Sequence, residues 1–208
     1  MKTVLCFGDS NTWGYSPLNA ARYPREVRWP GRLQNELGHE YHVIEEGLNG
    51  RTTVFDDPLG DHWNGREYFI PCIDTHRPMD LIVIMLGTND IKTRFCLTAF
   101  DIAYAVGLLV DICNKSIAGP NEGPPKVLLV CPPPVIEVGP WAEMFHGAQD
   151  KCTLMPERYA AVAQEHDCEF FDAGTVVTPS QIDGVHWDAP EHAKMAGAMA
   201  DQIRRIIG

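Results

Sequence analysis

Four short stretches hold residue types that could do chemistry. Gly8-Asp9-Ser10 presents a hydroxyl directly after the apolar run Val4-Leu5-Cys6-Phe7. Asp183-Gly184-Val185-His186 sets an imidazole three residues after a carboxylate. Gly50 and Asn89 each sit in a glycine-marked loop that follows an apolar run. A serine hydroxyl is a weak nucleophile until a base takes its proton during attack. His186 can be that base if Asp183 accepts its other ring N–H, which fixes the tautomer and stabilises the imidazolium. Attack on an ester carbonyl creates an oxyanion, which needs preset hydrogen-bond donors. The Gly50 N–H qualifies because a glycine lets the chain pass close to a substrate, and Asn89 offers a side-chain amide. Each signal alone also has a plainer reading. Asp9-Ser10-Asn11 and Asn89 could cap helices or make turns, Gly50 could be a turn glycine, and Asp183 and His186 could be an ordinary loop pair.

Those residues need a scaffold that brings strand ends together. Val4–Phe7, Tyr41–Glu45, Asp80–Leu86, Lys126–Cys131 and Cys168–Phe171 read as strands, and Asp80–Leu86 is apolar enough to be buried on both faces. Helical stretches fall between them. Gly31–Leu37 has Pro30 in its first turn and Gly38 at its end. Gly65–His76 is expected to bend at Pro71, or to be helical only in its second part, and Thr98–Ile117 carries apolar residues at helical spacing. Ala148–His166 is expected to break or restart at Pro156, and Pro190–Ile207 closes the chain. His192, on that last helix, is expected to be solvated. Five alternations of strand and helix, with no repeat or low-complexity tract, predict one α/β domain over residues 1–208. The expected fold is a three-layer sandwich around a five-stranded parallel sheet in the flavodoxin-like order 2-1-3-4-5. In such sheets ligand crevices form beyond the carboxyl ends of the strands. Ser10, Gly50, Asn89 and the Asp183–His186 pair follow the first, second, third and fifth strands, so one edge would collect them.

The 208 residues suffice for one domain with a proper core. The formal net charge of −11 argues against a nucleic-acid surface. No apolar run approaches the ~20 residues of a membrane helix, and no signal-peptide pattern follows Met1. The seven cysteines are an odd number without zinc-type spacing, and Cys6, Cys131 and Cys168 read as small core residues. A reducing cytoplasm fits that usage best.

Taken together, these blocks resemble the SGNH hydrolases, the GDSL-type esterases and lipases, and the resemblance spans nearly the whole chain. Gly8-Asp9-Ser10 is similar to the family's first block, whose serine is the nucleophile and lends its own N–H to the oxyanion hole. Gly47-Leu48-Asn49-Gly50 is similar to the second block and Gly87-Thr88-Asn89-Asp90 to the third. Asp183 and His186 are similar to the last. The resemblance thus implies a triad of Ser10, Asp183 and His186 and an oxyanion hole of Ser10, Gly50 and Asn89. Cys6–Ser10, Glu45–Leu48, Arg51-Thr52-Thr53, Ile84–Asp90 and Asp183–His186 most resemble the arylesterase branch, which includes mycobacterial esterase/acyltransferases. That likeness implies hydrolysis of short-chain, acetyl-like esters, aryl esters included, through an acyl-serine. It also implies acyl transfer to alcohols or peroxide, and a homo-oligomer whose loops narrow the pocket. The chain departs from relatives at Asn11, where many have Leu, and at Glu45, where the wider family often has Asn. At Gly50 it keeps the wider family's residue, where the acyltransferase has alanine.

The substrate pocket is expected at Asp9, Asn11, Trp13 and Val185. Trp13 and the loop from Pro132 to Phe145 would be its apolar walls, or that loop would pack against a neighbouring subunit. The expected partners are a small ester and an acyl acceptor, with no metal, organic cofactor, nucleic acid or membrane. A carbohydrate acetyl esterase of the same family is the alternative. A flavodoxin-like nucleotide-binding module shares the topology but leaves Asp183 and His186 without a task. Glu45-Glu46 does not suit a glycosidase, since adjacent strand residues point to opposite faces. No G-x-S-x-G elbow, P-loop or G-x-G-x-x-G is present.

Overall fold

A computed structural model describes residues 1–208. Its five strands are β1 (Lys2–Gly8), β2 (Tyr41–Gly47), β3 (Leu81–Met85), β4 (Lys126–Cys131) and β5 (Glu169–Asp172). All pair in parallel in the order β2-β1-β3-β4-β5, as expected. The longer helices are α2 (Trp29–Leu37), α3 (Gly65–His76), α4 (Ala99–Asn114), α5 (Ala148–Glu165) and α6 (Ala189–Ile207), and α1 is the single turn Ser10–Trp13.

Strand alternation divides the core in two. Leu5 and Phe7 of β1, Ile82 and Ile84 of β3, and Leu129 and Cys131 of β4 face one side, where they pack with Phe69 of α3, Ile102 and Val106 of α4, and Tyr159 of α5. Val4 and Cys6, Leu81, Val83 and Met85, and Leu128 and Val130 face the other, against Trp29 and Leu33 of α2 and Met195 and Met199 of α6. With both faces covered, the central strands are apolar throughout, and the three layers are those of the expected sandwich. The chain leaves β1 for β2 on one side and later returns to set β3 on the other, so the sheet's switch point lies between β1 and β3.

Two helices differ from expectation. The α5 helix runs unbroken through Pro156. Proline removes one backbone hydrogen bond, but Cys152 and Met155 before it and Tyr159 and Val162 after it are all buried. That continuous apolar stripe packs both halves against the same core. The α3 helix likewise runs through Pro71, with Phe69, Cys72 and Ile73 buried around it. The α4 helix begins at a reciprocal cap between Thr98 and Asp101. No helix is long and apolar enough to cross a membrane.

Candidate active site

The sharp turn after β1 depends on Gly8. A Cβ there would lie 2.1 Å from Thr12 Oγ1 and 2.9 Å from the Met85 carbonyl oxygen. Asp9 caps α1 by accepting the Asn11 N–H at 3.0 Å, which sets Ser10 at the helix's first position. Gly14, in the left-handed region, ends the turn and donates its N–H to the Ser10 carbonyl.

At the other end of the chain, residues 180–186 fold back on themselves. The Ser180 N–H donates to the His186 carbonyl at 2.7 Å, and the Gly184 N–H to the Ser180 carbonyl at 2.8 Å. Gly184 has φ +73°, and a Cβ on it would meet the Ile136 carbonyl oxygen at 1.9 Å. This turn points Asp183 at His186. Asp183 Oδ1 accepts the N–H groups of Val185 and His186 at 3.0 and 2.9 Å, and Oδ2 lies 2.7 Å from His186 Nδ1. Burial alone would raise the Asp183 pKa, but the bonds from the His186 ring and the two backbone N–H groups outweigh it and hold the carboxyl below its usual range. His186 Nε2 in turn lies 3.0 Å from Ser10 Oγ, across 176 residues of sequence. The Tyr15 ring lies over the imidazole, with centroids 4.1 Å apart.

The second and third strand ends are locked to this assembly by buried polar groups. Arg51 donates to the carbonyls of Gly8 and Glu46, with its guanidinium 4.1 Å from the centroid of the Phe7 ring. Asp90 is fully buried and accepts the Thr53 N–H and hydroxyl. Burial pushes its pKa up to about 6 against the lowering effect of the Thr53 bonds. Asn89 Nδ2 donates one proton to the Arg51 carbonyl at 3.0 Å, which orients the amide and leaves its second N–H free for a ligand. Gly50 has φ +82°, and its N–H finds no acceptor within the chain. Ser10, Gly50, Asn89 and His186 all line one cleft of about 300 Å³.

The cleft walls are only partly those expected. Val185 lines it, as do Trp141, Met144 and Phe145 of the 132–147 loop. Asp9, Asn11 and Trp13 do not. Asp9 is consumed as a cap. Asn11 turns its amide to the Val185 carbonyl at 3.3 Å, tying α1 to the histidine turn. Trp13 lies against the Arg22 guanidinium at 5.1 Å, because α1 turns its side chain away from the cleft. In its place stand Tyr15, Asn49, Leu59 and Trp63, with Lys92 and Arg94 beyond Asn89. The available signals were a tryptophan in the polar 54–64 stretch and two cations directly after the third block. His192 is fully buried rather than solvated. Its Nδ1 accepts the Trp29 N–H, and burial drives its pKa down to about 3, so it is neutral.

Outside the cleft, Glu46, Cys72 and His76 bring one ligand atom each within 4.8 Å of one another. Burial, reinforced by the Glu46 charge, pushes the Cys72 thiol up to about 12, which disfavours the thiolate a metal needs. Arg51 already supplies a cation there.

Residues 6–200 match the model of the GDSL-like Lipase/Acylhydrolase family. The chain belongs to that family. In it the chain is 40% identical to the M. smegmatis aryl esterase, with a TM-score of 0.95 and 100% of both chains covered. It is 42% identical to a carbohydrate acetylesterase family member from Sinorhizobium meliloti, again with a TM-score of 0.95 and full coverage of both. Among curated proteins none matches the chain. The sequence resemblance to the SGNH hydrolases and their arylesterase branch therefore holds.

Proposed function

We propose that this SGNH acylhydrolase is a serine esterase acting on short-chain, acetyl-like esters, aryl esters among them. The observation that carries the reading is the unbroken chain from Asp183 through His186 to Ser10, with contacts of 2.7 and 3.0 Å, at the floor of an aromatic-walled cleft. His186 takes the Ser10 proton as Oγ attacks the acyl carbon. The Ser10 and Gly50 N–H groups and the Asn89 amide hold the oxyanion. His186 then gives its proton to the departing alcohol, leaving an acyl-Ser10 ester. Water attacks that ester with His186 again as base, and the acid departs.

The cleft's size suits a small acyl group, and Trp63, Trp141 and Phe145 suit an apolar or aromatic leaving group. Those walls would favour an alcohol or peroxide as a competing acceptor, giving acyl transfer beside hydrolysis. The Sinorhizobium relative supports a second reading, release of acetate from acetylated sugars. The test is a kcat/KM series from acetyl to octanoyl p-nitrophenyl esters, run with and without a competing alcohol, alongside a peracetylated sugar. The proposal expects acetyl and propionyl to lead, with ester product formed when alcohol is present. A longest-chain optimum contradicts it, and a sugar optimum favours the second reading.

A further inference from the structure

The charged residues lining the cleft are Lys92 and Arg94; no carboxylate lines it. That is unexpected in a chain with a net charge of −11. Both cations follow Asn89, Lys92 at the junction of two short 3₁₀ turns, Asn89–Ile91 and Thr93–Phe95, and Arg94 within the second. Behind them Asp57 is fully enclosed. Its oxygens are taken by the Arg94 fork, Nε to Oδ1 at 2.9 Å and Nη2 to Oδ2 at 2.6 Å, with the Leu59 N–H also donating to Oδ1 at 3.0 Å. Arg94 thus satisfies Asp57. Lys92 is left over. Its Nζ lies 3.7 Å from Asp57 Oδ2, beyond hydrogen-bonding distance, and makes no hydrogen bond within the chain. Yet the side chain is only 7% exposed. Its ammonium lies over the Trp63 ring, 5.6 Å from the centroid, on the wall of the same cleft.

Two cations thus share the one Asp57 carboxylate, which leaves an excess positive charge on the cleft wall, and the Lys92 ammonium keeps its three donors for whatever enters the cleft. The other charges near it are turned to the chain's own groups. Asp90 is saturated by Thr53 and Asp9 caps α1. We infer that Lys92 receives an anionic group of the substrate, so that the preferred ester carries a carboxylate on its acyl part or on its leaving group. This rests on the esterase reading and narrows it. The aromatic walls would hold the body of such an ester while Lys92, a compact point charge, fixes its acidic end.

Two pairs of substrates test this. One compares 4-acetoxybenzoate with its methyl ester, which alters the charge of the leaving group. The other compares monoethyl succinate with ethyl butyrate, which alters the acyl part. Each kcat/KM is normalised to the ester's hydroxide-catalysed rate. The inference expects wild-type enzyme to favour the anionic member of at least one pair by about tenfold or more, the size of a charge-assisted hydrogen bond. High salt should shrink that ratio, and Lys92→Met should bring it to about one or below. A wild-type ratio of one or less in both pairs overturns the inference, whether or not Lys92→Met folds. So does a ratio that Lys92→Met leaves unchanged. Absence of turnover on all four esters by wild-type enzyme would instead overturn the esterase reading.

Discussion

The Ser10–His186 edge and the aromatic wall of the cleft are built on different principles. At the edge the side chains that orient the site are held by bonds to the chain itself. Asp183 accepts three bonds, Asn89 is oriented by the Arg51 carbonyl, and Asp90 is saturated by Thr53. The wall, formed by Leu59, Trp63, Trp141, Met144 and Phe145, comes from two long loops and offers surface more than hydrogen bonds. A transition state rewards atoms fixed before the substrate arrives, whereas an acyl or aryl group needs only a fitting apolar surface. Changes at the edge should therefore lower kcat, and changes in the wall should act mainly through KM.

The largest effect should come from Ser10→Ala, with kcat down by about 10⁴–10⁶-fold and the melting temperature barely changed. Steady-state kinetics beside thermal unfolding would check both halves. Asp183→Asn should follow at roughly 10⁴-fold, because the amide misplaces the proton on His186. It should also change acid stability. The Asp183 pKa is lowered on folding, so its contribution is present above the unfolded carboxylate pKa of about 4 and is lost as pH falls below it. Unfolding midpoints measured from pH 6 down to pH 3 should fall less steeply in Asp183→Asn than in wild type.

These two residues were also the most legible in the sequence. Ser10 directly follows the apolar run of β1, Asp183 and His186 share one short stretch after the last strand, and parallel topology brings strand ends together. The sheet order was readable for the same reason. The wall was not, because loop direction depends on long-range contacts. Trp13 looked like pocket and lies against Arg22, whereas Trp63 sat in a polar stretch and lines the cleft. His192 looked solvated because it stands on a helix rich in charge, yet its position faces Trp29 and Trp187. Pro156 looked like a break because its local cost is visible and the burial that offsets it is not.

A smaller loss should come from Asn89→Ala, about 10²–10³-fold in kcat with KM for neutral esters little changed, as for one donor removed from an oxyanion hole. The smallest should come from Trp63→Ala. There KM for aryl acetates should rise about 10-fold, the loss of a few apolar contacts, with kcat within a few-fold of wild type. An equal fall in kcat for Trp63→Ala and Asn89→Ala would erase the distinction between edge and wall.

The proposed reaction requires Ser10 to carry the acyl group. Rapid-quench mass spectrometry of the enzyme with p-nitrophenyl acetate reads that directly. The expected result is a transient gain of one acetyl group, located by fragmentation on Ser10, formed with a burst of p-nitrophenol and absent from Ser10→Ala. Turnover with no acylated intermediate, or with the acetyl group on another residue, would contradict it.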